Sequence, residues 1–237
     1  MTVLSNDIVN IPVSNNVINR AAETSLKKLP YLYRGFINSR TLKKRLENSF
    51  QGDVAKLALM ENLESNGRNV SDDFDVVRTD NFMQPMNRAY HFIMDEIRIE
   101  SNSSKLPPRI TAINDTNLLN MDIKISHSEG RNTFPLFVDY DMAVQMYFEI
   151  EHTEEIFVFE DIDNAINYLT DTNENINRRI EFLLSCLNVD LLLYFFAFID
   201  ENNLRDLPYF SGTWTFPNSE RNYYKCKIKD CEPYSNL

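Results

Sequence analysis

Residues 191–199, Leu-Leu-Leu-Tyr-Phe-Phe-Ala-Phe-Ile, form the most hydrophobic stretch of this chain. The stretch is too short to cross a bilayer, and its aromatic content favours a β-strand. A strand of this composition has to be covered on both faces. We therefore expect a central strand in a layered α/β fold. The 237 residues, of which 43% are hydrophobic, supply enough apolar surface for a large core.

Helical periodicity is clearest in residues 41–63, where leucine, phenylalanine and valine recur at near-helical spacing. Asn66 and Gly67 supply a stop signal after this segment. Gly52 lies inside it, where a glycine either allows the close approach of a strand or marks a break between two helices. Two further helices are expected over 161–169 and 175–187.

Short segments rich in branched and aromatic residues predict strands between and after these helices. They are 74–77, 89–94, 97–101, 121–125, 142–148 and a closing pair at 213–216 and 222–229. This order predicts a single domain over 1–237, with a helical N-terminal segment at 1–66 and a mixed-sheet core at 67–237. The expected fold class is α/β (α+β), with a mixed central sheet flanked by helices.

Charge is unevenly distributed along the chain. The net charge is −11, yet residues 17–56 carry nine Lys and Arg against three acidic residues. Lys43, Lys44 and Arg45 are the candidate phosphate contacts in this region. A basic N-terminal face on an acidic body is compatible with one DNA-facing surface, and equally with a solvated helix face.

The chain has no apolar run near the roughly 18 residues that a membrane helix needs, and its first residues lack a signal-peptide pattern. We therefore expect a cytoplasmic protein without a membrane partner. Its three cysteines are an odd number, and reduced thiols are expected in that compartment.

Residues 89–103 predict a β-hairpin with a turn at Asp95 and Glu96. Antiparallel pairing across this turn brings His91 and Glu100 to the same end and face of the hairpin. Asn102 follows Glu100 by two residues and so shares its face.

This hairpin resembles the metal-binding hairpin of the PD-(D/E)xK nucleases, in which an Asp and a Glu-x-Lys converge on divalent cations. His91 stands at the Asp position, Glu100 at the Glu position and Asn102 at the Lys position. Residues 51–58 are similar to the first helix of such enzymes, with Asp53 as the acid that faces the metal. Segment 137–148 resembles the sheet strand that follows the hairpin in this family, and segment 213–228 resembles the tail of several type II restriction-endonuclease-like proteins.

The resemblance implies a restriction-endonuclease-like fold and metal-dependent hydrolysis of double-stranded DNA. It implies Mg²⁺ as the cofactor, while an imidazole at position 91 favours Mn²⁺. Asn102 can orient a water molecule but supplies no positive charge. Cleavage of both strands implies a homodimer.

A second set of residues contains all three functional types. Asp115 and Asp122 would be the metal carboxylates and Lys124 the water-orienting cation, with Asp53 available to either arrangement and Glu100 shared.

Two other classes of function stay open. The substitutions at His91 and Asn102 favour a catalytically inactive relative that serves as a DNA-recognition or assembly subunit of a restriction or phage-defence complex. The third class is an acidic DNA mimic, which the acidic residues of 149–163 would support.

Overall fold

The computed structural model describes residues 3–32, 41–72, 90–126, 140–200, 203, 209–210 and 223–237. The predicted strands at 74–77 and 213–216 lie outside these ranges. So do residue 89 at the start of the predicted hairpin and residues 137–139 of the segment that resembles a family strand.

Four α-helices and nine β-strands occur within these ranges. The helices are α1 (Asn15–Leu32), α2 (Leu42–Ser65), α3 (Ile162–Thr170) and α4 (Ile176–Ser185). The strands are β1 (Val9–Ile11), β2 (Val70–Ser71), β3 (Phe92–Met94), β4 (Ile97–Lys105), β5 (Asp122–Ser126), β6 (Met142–Phe148), β7 (Leu193–Asp200), β8 (Tyr209–Phe210) and β9 (Tyr223–Lys227).

The main sheet is mixed, which confirms that part of the expected fold class. Its strand order is β1-β7-β6-β4-β3-β2, in which β4 and β6 are parallel and the other neighbours are antiparallel. The hydrophobic segment predicted at 191–199 forms β7, next to β6. Strand β6 is buried along its whole length, so the centre of this sheet is covered on both faces.

The two faces of the main sheet are covered differently. One face packs against α1 to α4 in a core that includes Phe50, Phe148 and Phe157. The other face packs against a second sheet, of order β5-β9-β8, in a core that includes Ile123, Tyr140 and Phe196. Among the described residues the helices therefore belong to one face, whereas the sequence predicts a sheet simply flanked by helices.

The N-terminal segment 1–66 is not purely helical, which corrects the expectation for this region. Strand β1 precedes α1 and pairs antiparallel with β7, with Asn10 opposite Tyr194. Three residues are too few to show the alternation that marks a strand in a sequence. The long-range pairing with β7 stabilises this short strand.

Helix α2 runs without interruption through Gly52, so neither role proposed for this glycine is correct. A Cβ atom added at Gly52 would meet nothing within 4 Å. The helix begins at the Thr41 cap, whose hydroxyl accepts from the Lys44 amide. It ends before Gly67, which has a φ of 84°.

Candidate functional site

The hairpin of β3 and β4 brings His91 and Glu100 together, as the sequence predicts. Asp95 and Glu96 at its turn have φ values of 48° and 72°, the left-handed conformation of a tight two-residue hairpin turn. The His91 amide donates to the Ile99 carbonyl at 2.7 Å. This pairing brings the two side chains together, and His91 Nδ1 lies 3.5 Å from Glu100 Oε2.

The protonation of His91 follows from its partner on β4. The Ser101 backbone amide donates to His91 Nδ1 at 3.0 Å, and the Ser101 hydroxyl lies 3.0 Å from the same nitrogen. An amide N–H can only donate, so this contact favours a lone pair on Nδ1 and the imidazole proton on Nε2. Burial, followed by the positive charge of Lys56, lowers the pKa of His91 from 6.5 to about 4. The imidazole is therefore neutral near pH 7.

Helix α2 supplies Asp53, which faces helix α1. Its two carboxylate oxygens accept from Lys28 Nζ at 2.7 and 2.9 Å, and the Ser25 hydroxyl donates to Oδ2 at 3.1 Å. Asp53 is 7% exposed, and a carboxylate at that depth requires such partners. Asp53 thus joins two helices through an ion pair.

One turn further along α2, Lys56 extends into the same region. Its Nζ lies 2.8 Å from Asp72 Oδ2, and both side chains are under 10% exposed. Asp72 directly follows β2, which pairs with β3, and β3 begins immediately after His91. We call the resulting group the polar cluster; its members are Ser25, Lys28, Asp53, Lys56, Asp72, His91, Glu100 and Ser101.

The polar cluster contains members that sequence reasoning missed, namely Ser25, Lys28, Lys56, Asp72 and Ser101. The spacing of Asp53 and Lys56, three residues apart on a helix, is the signal that places both on one face. No comparable signal exists for Lys28 or Asp72, because their partners are 25 and 16 residues away in the chain.

Asn102 lies next to the polar cluster on β4, opposite Gln145 of β6. Its Nδ2 atom is buried and has no hydrogen-bond partner among the described residues. The neighbouring Gln145 directs its Nε2 to the Met146 carbonyl, to which it donates at 2.9 Å. Asn102 therefore supplies an unused donor at the position where the resemblance implies a lysine.

The second predicted set of acids lies elsewhere. Asp122 and Lys124 are on β5 of the small sheet, opposite Lys227 and Lys225 of β9. The side chain of Lys124 is outside the described part of the structure. Ile123, the neighbour of Asp122 on β5, belongs to the core between the two sheets, so β5 lies on the face away from the helices. Burial and then the charge of Asp122 raise the pKa of Tyr147 to about 12.

Asp115 has a structural role in this region. Its Oδ1 accepts from the Asn117 amide at 2.8 Å and caps the short 3-10 helix Thr116–Asn120. Asp53 belongs to the helical face and Asp122 to the opposite one. The expectation that Asp53 serves either arrangement is therefore wrong.

The predicted ligands do not assemble into a metal-binding group. Within the described ranges, no three His, Cys, Asp or Glu side chains lie close enough together to hold a metal ion. Asp53 is paired with Lys28, and the Nδ1 lone pair of His91 is taken by an amide. A metal at Nε2 would need the proton on Nδ1, which would break the hydrogen bond that Nδ1 accepts from the Ser101 amide. The donor set present here therefore does not fit a divalent cation.

The predicted phosphate contacts at the start of α2 are engaged within the protein. Lys43 is 7% exposed, pairs with Glu155 at 2.7 Å and lies 5.8 Å from the centre of the Phe159 ring. Lys44 pairs with Glu47 at 3.0 Å, and Arg45 is half-buried. Lys43 is thus a packing residue, which corrects its assignment to a DNA-facing surface.

Comparisons of this chain with protein-family models, with curated proteins and with solved structures give no match. None of the described helices is long and apolar enough to cross a membrane.

Proposed function

We propose that this protein is a catalytically inactive relative of the PD-(D/E)xK nucleases that acts as a DNA-recognition or assembly subunit of a restriction or defence complex. The observation that carries this proposal is the state of His91. His91 stands at the position where the resemblance implies a metal-binding Asp, and its Nδ1 accepts a hydrogen bond from the Ser101 backbone amide.

The geometry supports the relationship to this class. The resemblance implies that an acid on the first helix and two side chains on the hairpin share one site. Asp53 of α2 carries one of the charges that act on His91, and Glu100 lies 3.5 Å from the imidazole. Residues that are 38 and 47 positions from Asp53 in the chain thus meet in one polar cluster.

The charges support a role without hydrolysis. Phosphodiester cleavage of this type needs a cation that activates a water molecule and neutralises the phosphate. Lys28 and Lys56 of the polar cluster are engaged by Asp53 and Asp72, so they do not offer that chemistry. The net charge of −11 favours contacts with a protein partner over most of the surface.

The test separates cleavage from binding. Purified protein is incubated with plasmid and genomic DNA in Mg²⁺ and in Mn²⁺, and its affinity for a labelled duplex is measured by fluorescence anisotropy across a salt series. We expect intact DNA with both ions and an affinity that falls as salt rises. DNA fragments that form only with a metal ion would contradict the proposal. A protein that shows no affinity for DNA and co-purifies with no defence subunit would also contradict it.

An active nuclease is the second candidate, favoured by the retained Glu100 beside His91. It predicts discrete DNA fragments that disappear in Glu100→Ala. If Asp122→Ala removes them instead, the catalytic residues lie on the small sheet. An Asp163→Ala variant, altered at an exposed position in the first turn of α3, is the matched control.

A further inference from the structure

The polar cluster carries its own cation. Lys56 is 6% exposed, although lysine is among the residues least often buried. Its ammonium lies 2.8 Å from Asp72, whose side chain is 7% exposed. Burying an ammonium at this depth requires nearby negative charge, and burying the carboxylates requires nearby positive charge.

The acids of the cluster come from several elements. Asp53 lies one helical turn before Lys56, Asp72 follows β2, and Glu100 comes from β4 beside His91. Lys28 neutralises Asp53 through both carboxylate oxygens. Among the described members of the cluster, Lys56 is therefore the cation on the hairpin side.

The charge of Lys56 also acts on His91. Helix α2, which carries Lys56, packs against β2 and β4 beside the hairpin. After burial, Lys56 has the largest effect that lowers the pKa of His91, ahead of Lys28. The ammonium therefore acts electrostatically on the imidazole that stands at the implied metal position.

We infer that the Lys56 ammonium takes the electrostatic place of a divalent cation in this cluster, so that the folded protein needs no metal there and excludes one. This inference rests on the proposed function, because it explains how a catalytically inactive relative keeps its buried acids. A divalent cation brought near Lys56 would be repelled by the ammonium. Within the described ranges, no three His, Cys, Asp or Glu side chains are arranged so that they could hold such a cation.

The experiment measures Mn²⁺ binding by electron paramagnetic resonance of the free ion, and thermal unfolding with and without Mn²⁺. It uses the full chain as wild type, Lys56→Gln and the double variant Lys56→Gln/Asp72→Asn. Lys27→Gln is the matched control, since Lys27 is an exposed lysine of α1 that pairs with Glu23.

We expect no saturable Mn²⁺ binding and no Mn²⁺-dependent shift in melting temperature for the wild type and for Lys27→Gln. Lys56→Gln should melt at a lower temperature and recover part of the loss in Mn²⁺. It should bind Mn²⁺ about tenfold or more tightly than the wild type, because a buried positive charge has been removed. The double variant should lose this gain, since the acid that had paired with Lys56 is gone.

Saturable Mn²⁺ binding by the wild type that the double variant loses would overturn the inference, and so would an unchanged Mn²⁺ affinity in Lys56→Gln. The wild-type measurement stands even if Lys56→Gln does not fold. The result is also independent of DNA. A wild-type protein that cleaves DNA with a metal bound outside the polar cluster would refute the proposed function. The inference about Lys56 would still hold in that case.

Discussion

Individual side chains in this protein hold the layers together through buried polar contacts. Glu47 is 2% exposed, and its Oε1 accepts from the amides of Ile156 and Phe157 at 3.0 and 3.4 Å. Its other oxygen pairs with Lys44 at 3.0 Å. One carboxylate on α2 thereby satisfies two backbone donors more than 100 residues away in the chain.

Removing this carboxylate should be costly. We expect Glu47→Ala to lower the free energy of unfolding by about 3 kcal/mol, because two buried amides lose their acceptor. Urea denaturation measures the change. The control is Glu23→Ala, which removes a half-exposed partner of Lys27 and should cost under about 0.5 kcal/mol. Equal losses in the two variants would show that the buried contacts contribute nothing beyond a surface ion pair.

His91 should make stability depend on pH. Its pKa is lowered from 6.5 to about 4 in the folded protein, so the folded state binds fewer protons than the unfolded state between these values. The contribution of the neutral His91 imidazole to the free energy of unfolding is present above pH 6.5 and is lost as the pH falls toward 4. The charged groups around the imidazole are Lys56, Lys28, Asp53 and Glu100.

His91→Asn keeps an acceptor near the Ser101 amide but does not titrate. We expect the stability difference between wild type and variant to shrink as the pH falls from 6.5 to 4, as measured by chemical denaturation at several pH values. Asp141, whose pKa is lowered by hydrogen bonds from Arg98, is common to both proteins and cancels in the comparison. A difference that is constant with pH would show that His91 does not titrate in this range.

At the scale of elements, α2 organises the helical face. It contacts α1, α3, β1, β2 and β4, and it supplies Asp53 and Lys56 to the polar cluster. Its exposed Gly52 makes no close packing contact. Glycine in the middle of a helix costs conformational entropy, so this position is a weakness in an otherwise continuous helix.

Gly52→Ala should therefore stabilise the protein by about 1 kcal/mol. The added methyl group meets nothing within 4 Å. Thermal unfolding measures the gain. Gly67→Ala is the opposing control, because Gly67 has a φ of 84° and an alanine there should destabilise the protein by about 1 kcal/mol. A loss of stability in Gly52→Ala would mean that the glycine has a role in the fold.

At the scale of the whole molecule, the two cores differ in what they enclose. The core between the main sheet and the small sheet contains Cys226 and Cys231, which are 7% and 2% exposed. Cys186 follows α4 on the helical side and is only partly buried. All three are free thiols.

Thiol labelling should reveal this layering. We expect one fast-reacting thiol per chain in the native protein and three in denaturant, because a thiol must be accessible to react. Cys186→Ser should abolish the fast phase, as followed by the absorbance of a disulfide reagent. Rapid native labelling of Cys226 or Cys231 would indicate that the small sheet separates from the main sheet.

Local pattern was sufficient for most of the elements. The segments 41–63, 142–148 and 191–199 became α2, β6 and β7 with small shifts at their ends. The hairpin turn at Asp95 and Glu96 and the meeting of His91 with Glu100 were also predictable, because both depend on residues close together in the chain.

The sequence by itself determined these elements, since helical and strand periodicity is a property of neighbouring residues. Only the tertiary structure decided that the helices share one face, that β5 pairs with β9 in a second sheet, and that Asp53 and Asp122 lie on opposite sides. It also decided that Lys28 and Lys56 pair with acids at the candidate site. Such pairings join residues far apart in the chain, and they form because buried charges need partners that only the folded arrangement brings within reach.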